Sequence, residues 1–159
     1  MTAPTTPASV PVPENPPAPE SFGVGLLKSL LFSLIVVILC AIAWGVVAYF
    51  TNTIYFWAAI IIGLLVSLAA TSGFRRINFG IAALMFIPCL AFALLSVILG
   101  DFIFYTLSVA KEFQLDWIQA AQAVAEGFVE VETSTEGLQS MAFGGIGALV
   151  GFIAAVRRR

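Results

Sequence analysis

The chain has 159 residues, 60% of them hydrophobic and 10% charged, with a formal net charge of -2 and a mean hydropathy of +1.04. A soluble domain carries about 45–50% apolar and about 25% charged residues, so this chain lacks the charge to coat a water-facing surface. Its apolar residues also fall in runs, which makes lipid the expected solvent. No Lys/Arg-rich stretch is long enough to track a phosphate backbone, so nucleic acid is not an expected partner.

Residues 1–22 hold seven of the eight prolines, with Glu14 and Glu20 among Thr, Ala and Ser. Proline removes backbone donors, and the segment has little apolar surface to bury. It reads as a disordered, partly polyproline-II cytoplasmic tail ahead of a membrane domain over 23–159. It has no basic leader followed closely by an apolar run, so it does not read as a signal peptide. Its Pro-x-Pro and Pro-Pro steps suit an aromatic groove on a partner, but a solvated tail is the plainer reading.

The first apolar run, residues 29–50, is uncharged and long enough to cross a hydrocarbon core of about 30 Å. Lys28 precedes it. Thr51-Asn52-Thr53 is the only polar break before a second run at 54–72, which predicts a tight antiparallel hairpin. Gly73 is a plausible stop for the second run, and Arg75 and Arg76 follow. A third span is expected at 79–100, kinked at Pro88. The apolar pattern resumes after Asp101 as far as Ala110, so this helix is expected to tilt or to project beyond the bilayer.

Over residues 111–137 the pattern changes. Glu112, Asp116, Gln119, Gln122, Glu126 and Glu130 recur every three or four residues. Trp117, Ala121, Val124, Phe128 and Val131 recur on another face. This predicts an amphipathic helix outside the membrane, weakened at Gly127. It would lie on the outer leaflet or dock on a protein. Lipid-bound helices usually carry basic polar faces, and this one is acidic, which favours the protein partner. Ser134 or Thr135 is placed to cap a fourth span at 138–156. Arg157, Arg158 and Arg159 follow. The expected fold is therefore all-α: a polytopic transmembrane protein with four membrane-spanning helices and an amphipathic extramembrane helix between spans three and four.

Six of the seven basic residues are Lys28, Arg75, Arg76, Arg157, Arg158 and Arg159. With four spans all six fall on one side. The positive-inside bias then places both termini in the cytoplasm of a multi-pass protein of the cell (plasma or inner) membrane. Tyr49, Phe50, Tyr55, Phe56 and Trp57 would mark the outer interface.

Three features carry candidate chemistry. Gly144, Gly147, Ala148, Gly151 and Ala155 share faces of the fourth span, and small residues let helices in lipid approach closely. The packing partner is another span of the chain or a second subunit. Asp101 is the one carboxylate beside a span's apolar core, a candidate polar or ion residue. Against that, it stands at the end of the predicted span, where water, Lys111 or Tyr105 would satisfy it. Cys40 and Cys89 read as inert apolar packing, since a thiolate is costly in hydrocarbon. The chain has no histidine, the commonest general base and a common metal ligand. Nothing forms a nucleophile–base pair, a phosphate loop or a metal cluster, so neither an enzyme nor a cofactor is expected.

The stretch from Trp44 to Trp57 and the run Leu99-Gly100-Asp101-Phe102-Ile103-Phe104-Tyr105 resemble small uncharacterised bacterial integral membrane proteins. Those have a low-complexity or zinc-ribbon leader, a tight hairpin with an aromatic-rich junction, and two further spans; no zinc ribbon stands here. The resemblance implies the same architecture and a bacterial membrane, and supplies no activity. The functional expectation is a non-enzymatic accessory, scaffold or interaction subunit in the lipid bilayer, with a membrane-protein partner or as a homo-oligomer. A small transporter or channel working through Asp101 is the rival.

Overall fold

A computed structural model describes residues 22–72 and 79–157. Within them every regular element is a helix: α1 (Phe22–Thr51), α2 (Phe56–Ser72), α3 (Phe79–Phe113), α4 (Trp117–Glu132) and α5 (Thr135–Arg157). The proline-rich tail, Gly73, Arg75, Arg76, Arg158 and Arg159 lie outside the described residues.

Local chemistry sets the helix ends. α1 stops because Asn52 takes a left-handed conformation, φ 50°, which asparagine tolerates better than most residues. The Asn52 N–H then donates to the Tyr49 carbonyl and the Thr53 N–H to that of Ala48, closing the helix with a Schellman motif. Gln114, φ 55°, ends α3 in a related way, with the Leu115 N–H donating to the Ala110 carbonyl. Asp116 opens α4: its carboxylate accepts from the Ile118 and Gln119 N–H groups at 2.8 and 3.0 Å. At the head of α5 the Ser134 hydroxyl accepts from the Gly137 N–H.

These stops revise two sequence expectations. The 111–137 segment is not one amphipathic helix. Its first residues belong to α3, because the left-handed Gln114 and the Asp116 cap break the pattern that side-chain periodicity suggests is continuous, while its last, from Thr135, open α5 as the start signal there predicts. The predicted span at 54–72 is also shortened. Three helices are long and apolar enough to cross a membrane, within Gly23–Thr51, Leu84–Phe113 and Thr135–Arg157, not four. α2 is apolar throughout but has 17 residues, about 25 Å at 1.5 Å per residue. It is short because the α1 cap and the Tyr55 turn use up the first residues of its run. α3, by contrast, has 35 residues and passes through both Pro88 and Gly100-Asp101 without interruption.

The helices pack chiefly as two pairs, α1 with α3 and α2 with α5, and the pairs meet about evenly through α2 on α3, α1 on α2 and α3 on α5. α4 lies on α3 and α5 at one end. Val37, Trp44, Ala59, Ile62, Val66, Ala93, Val97 and Ala148 form the core. In lipid no hydrophobic effect drives helices together, so close approach and interhelical hydrogen bonds carry the association. Each of three contacts has a serine donating to a carbonyl of the neighbouring helix: Ser29 to Ala70, Ser67 to Ala148 at 3.0 Å, and Ser96 to Val37 at 3.1 Å. Gly144, Gly147, Ala148, Gly151 and Ala155 are all buried. A methyl group at Gly147 would strike the Ile60 backbone, and one at Gly151 the Leu64 backbone. The small-residue face of α5 is therefore occupied by α2 of the same chain.

Candidate functional site

Four helices bring polar side chains together around Asp101. The glycine before it makes this possible: a Cβ at Gly100 would collide with the Trp44 ring. With glycine there, the indole lies against α3 and its Nε1–H donates to Asp101 Oδ1 at 2.8 Å. The carboxylate is only 2% exposed. Of the partners weighed from sequence, Lys111 turns away, with its ammonium over the Tyr49 ring, 5.5 Å from the centroid. Tyr105 stays close enough for its phenol to feel Asp101, Glu132 and Glu136.

Two further groups complete the cluster. Glu132, 8% exposed, is the last residue of α4. It is turned inward by a tight connection to α5, in which Gly137 packs directly on the Glu132 backbone where no side chain would fit. Ser140, 1% exposed, follows one turn later on α5 and faces the Asp101 carboxyl. Neither Glu132 Oε2 nor Ser140 Oγ has a hydrogen-bond partner of ordinary geometry. An unpaired buried polar group is costly, and these two, both on elements that close over Asp101, contrast with the bonded serines elsewhere in the bundle. Burial pushes the Glu132 carboxyl up to about 7, and the nearby Asp101 charge adds to the rise.

The site is made of oxygen ligands with one indole donor. Among the described residues no group of three or more His, Cys, Asp or Glu side chains is placed to hold a metal ion. Cys40 and Cys89 are free thiols, the first half-buried and the second buried. Lys28 lies in the first turns of α1 and Arg157 closes α5.

Sequence reasoning singled out Asp101 but missed Trp44, Glu132 and Ser140. Glu132 carried a readable signal. It continues the stripe Ala120, Val124, Phe128 in steps of four, the face that α4 turns to the bundle, whereas Glu126 and Glu130 stand on the exposed face. An acid on an apolar stripe is a buried acid once the helix docks. Trp44 and Ser140 gave no such signal, since either is ordinary in a span.

No protein family, no curated protein and no solved structure matches the chain. The described residues define an all-helical bundle with three helices long and apolar enough to cross a membrane and a buried carboxyl pair at one end.

Proposed function

We propose that the chain is a non-enzymatic accessory or scaffold subunit of a cell membrane, with four crossings and both termini cytoplasmic, that contacts a protein partner through α4. The observation that carries this reading is the state of α4. It is capped by Asp116 and held on the bundle by Phe128, whose ring meets Phe102 edge-on at 5.1 Å. Beyond that contact Trp117 stays 48%, Ile118 68% and Val129 74% exposed. Glu126 and Glu130 lie exposed on the same helix, and acidic side chains are repelled by anionic headgroups, which favours protein over lipid as the occupant. The α5 glycine face is already filled by α2, which leaves α4 the better-suited surface for a second protein or another copy.

The fourth crossing is assigned to α2. Its outward residues Trp57, Ile61 and Leu65 are apolar and exposed, as lipid requires, and it is packed along α5, which is long enough to cross. Positive residues flanking the helices set the orientation. A photo-crosslinking side chain at Ile118 or Val129, compared with one at Ile38 in α1, tests the reading in native membranes. One second protein, or a second copy, in fixed stoichiometry from the α4 positions alone is the expected result. Lipid adducts from all three positions would overturn it.

The buried Asp101 favours a second reading, an ion-coupled transporter or channel. Asp101→Asn would then abolish coupled flux in reconstituted vesicles, and unchanged flux would remove that reading.

A further inference from the structure

We propose that Glu132 and Asp101 form a proton-binding site, in which one proton is held on Glu132, whose buried Oε2 no donor reaches, beside an Asp101 carboxylate faced by the Trp44 indole and the Ser140 hydroxyl. Among the described residues, three buried side-chain oxygens lack a hydrogen bond: Glu132 Oε2, Ser140 Oγ and Thr106 Oγ1. An ionised glutamate has only acceptors, and the serine has one hydrogen to give. No donor reaches Glu132 Oε2, so a proton on it removes an uncompensated buried charge, and the Ser140 hydroxyl is left to Asp101, which already receives the Trp44 indole at 2.8 Å. The proton comes from water and returns to it, and no other bond forms or breaks.

The surroundings favour this occupant. The groups facing the cluster are Asp101 and Tyr105 from α3, Glu132 from α4 and Glu136 from α5, and α1 contributes the uncharged Trp44. Two buried carboxylates in such company hold one proton between them, because the second negative charge has no cation to offset it. A hard metal ion would need about six oxygen ligands. The cluster offers two carboxyls and a hydroxyl, and one carboxylate oxygen already accepts the indole.

The site also joins helices. Glu132 ends α4, Ser140 belongs to α5 and Asp101 to α3, so the proton holds the end of α4 against the bundle. Its loss leaves two like charges facing one another, and the α4 end is released.

Infrared titration of the full-length chain in lipid nanodiscs tests the site by following the carbonyl band of a protonated carboxyl. In the unmodified protein the band should persist to near neutral pH and be gone by about pH 9. Glu132→Gln should remove it. Asp101→Asn should lower its midpoint by about one pH unit, since the like charge is gone. A band already lost by about pH 5, or one unchanged in Glu132→Gln, would overturn the proposal. So would its displacement by sodium or calcium at constant pH, which would make this a metal-cation site instead.

Discussion

Trp44 and Asp101 stand 57 positions apart and share one hydrogen bond. Trp44→Phe keeps the ring packed on Gly100 and removes only the donor, leaving a buried carboxylate short of a partner. The expected loss is about 1–3 kcal/mol, read as a lower unfolding midpoint in detergent. If the bond is the cause, Trp44→Phe should cost much less in an Asp101→Leu background. Glu132 gives the pH dependence. Its carboxyl is raised from an ordinary 4.5 to about 7, so the folded chain holds this proton more tightly than the unfolded chain does. Stability should therefore fall as pH rises from about 4.5 to about 7 and level off above. Glu132→Gln should flatten the curve across that window, and an equally steep curve in the variant would place the titrating group elsewhere. Asp101 itself was legible in the sequence as an acid beside an apolar run. Its burial was not, because whether a residue at the end of a span meets water depends on what covers that end, and here α4 and α5 cover it.

At the scale of elements, the glycines of α4 and α5 behave oppositely. Nothing lies within 4 Å of a Cβ built at Gly127, so Gly127→Ala should stabilise α4 by up to about 1 kcal/mol through helix propensity alone. Slower amide exchange across α4 would report it. Gly147 has the Ile60 backbone where its Cβ would be, and backbone cannot swing aside. Gly147→Leu should cost about 1–3 kcal/mol or more and separate α2 from α5, seen as a lower unfolding midpoint. The sequence marked the small-residue face of α5 plainly, since Gly147, Gly151 and Ala155 recur in steps of four. It did not mark the partner, because α2 meets that face largely with backbone, at Ile60 and Leu64.

For the whole molecule, the question is how many helices cross. Four crossings put the Asn52 turn and Ser72 on opposite sides of the membrane; three put them on the same side. Single cysteines at Thr53 and Ser72, with Cys40 and Cys89 replaced by alanine, should be labelled from opposite faces in intact cells. Labelling of both from one face would leave α2 as a helix that does not cross.

The sequence alone determined the helical class, the apolar runs and the break at Thr51-Asn52-Thr53, because these rest on hydropathy and on backbone chemistry within a few residues. It also carried the capping serine at 134. Tertiary structure decided what those local signals cannot contain. It seated α5 on α2 rather than leaving its glycines free. It also drew Trp44, Asp101, Glu132 and Ser140 from four helices into one site. Periodicity records which face of a helix is apolar or small; which helix covers that face, and which polar atoms are sealed in with it, is fixed only when the helices pack.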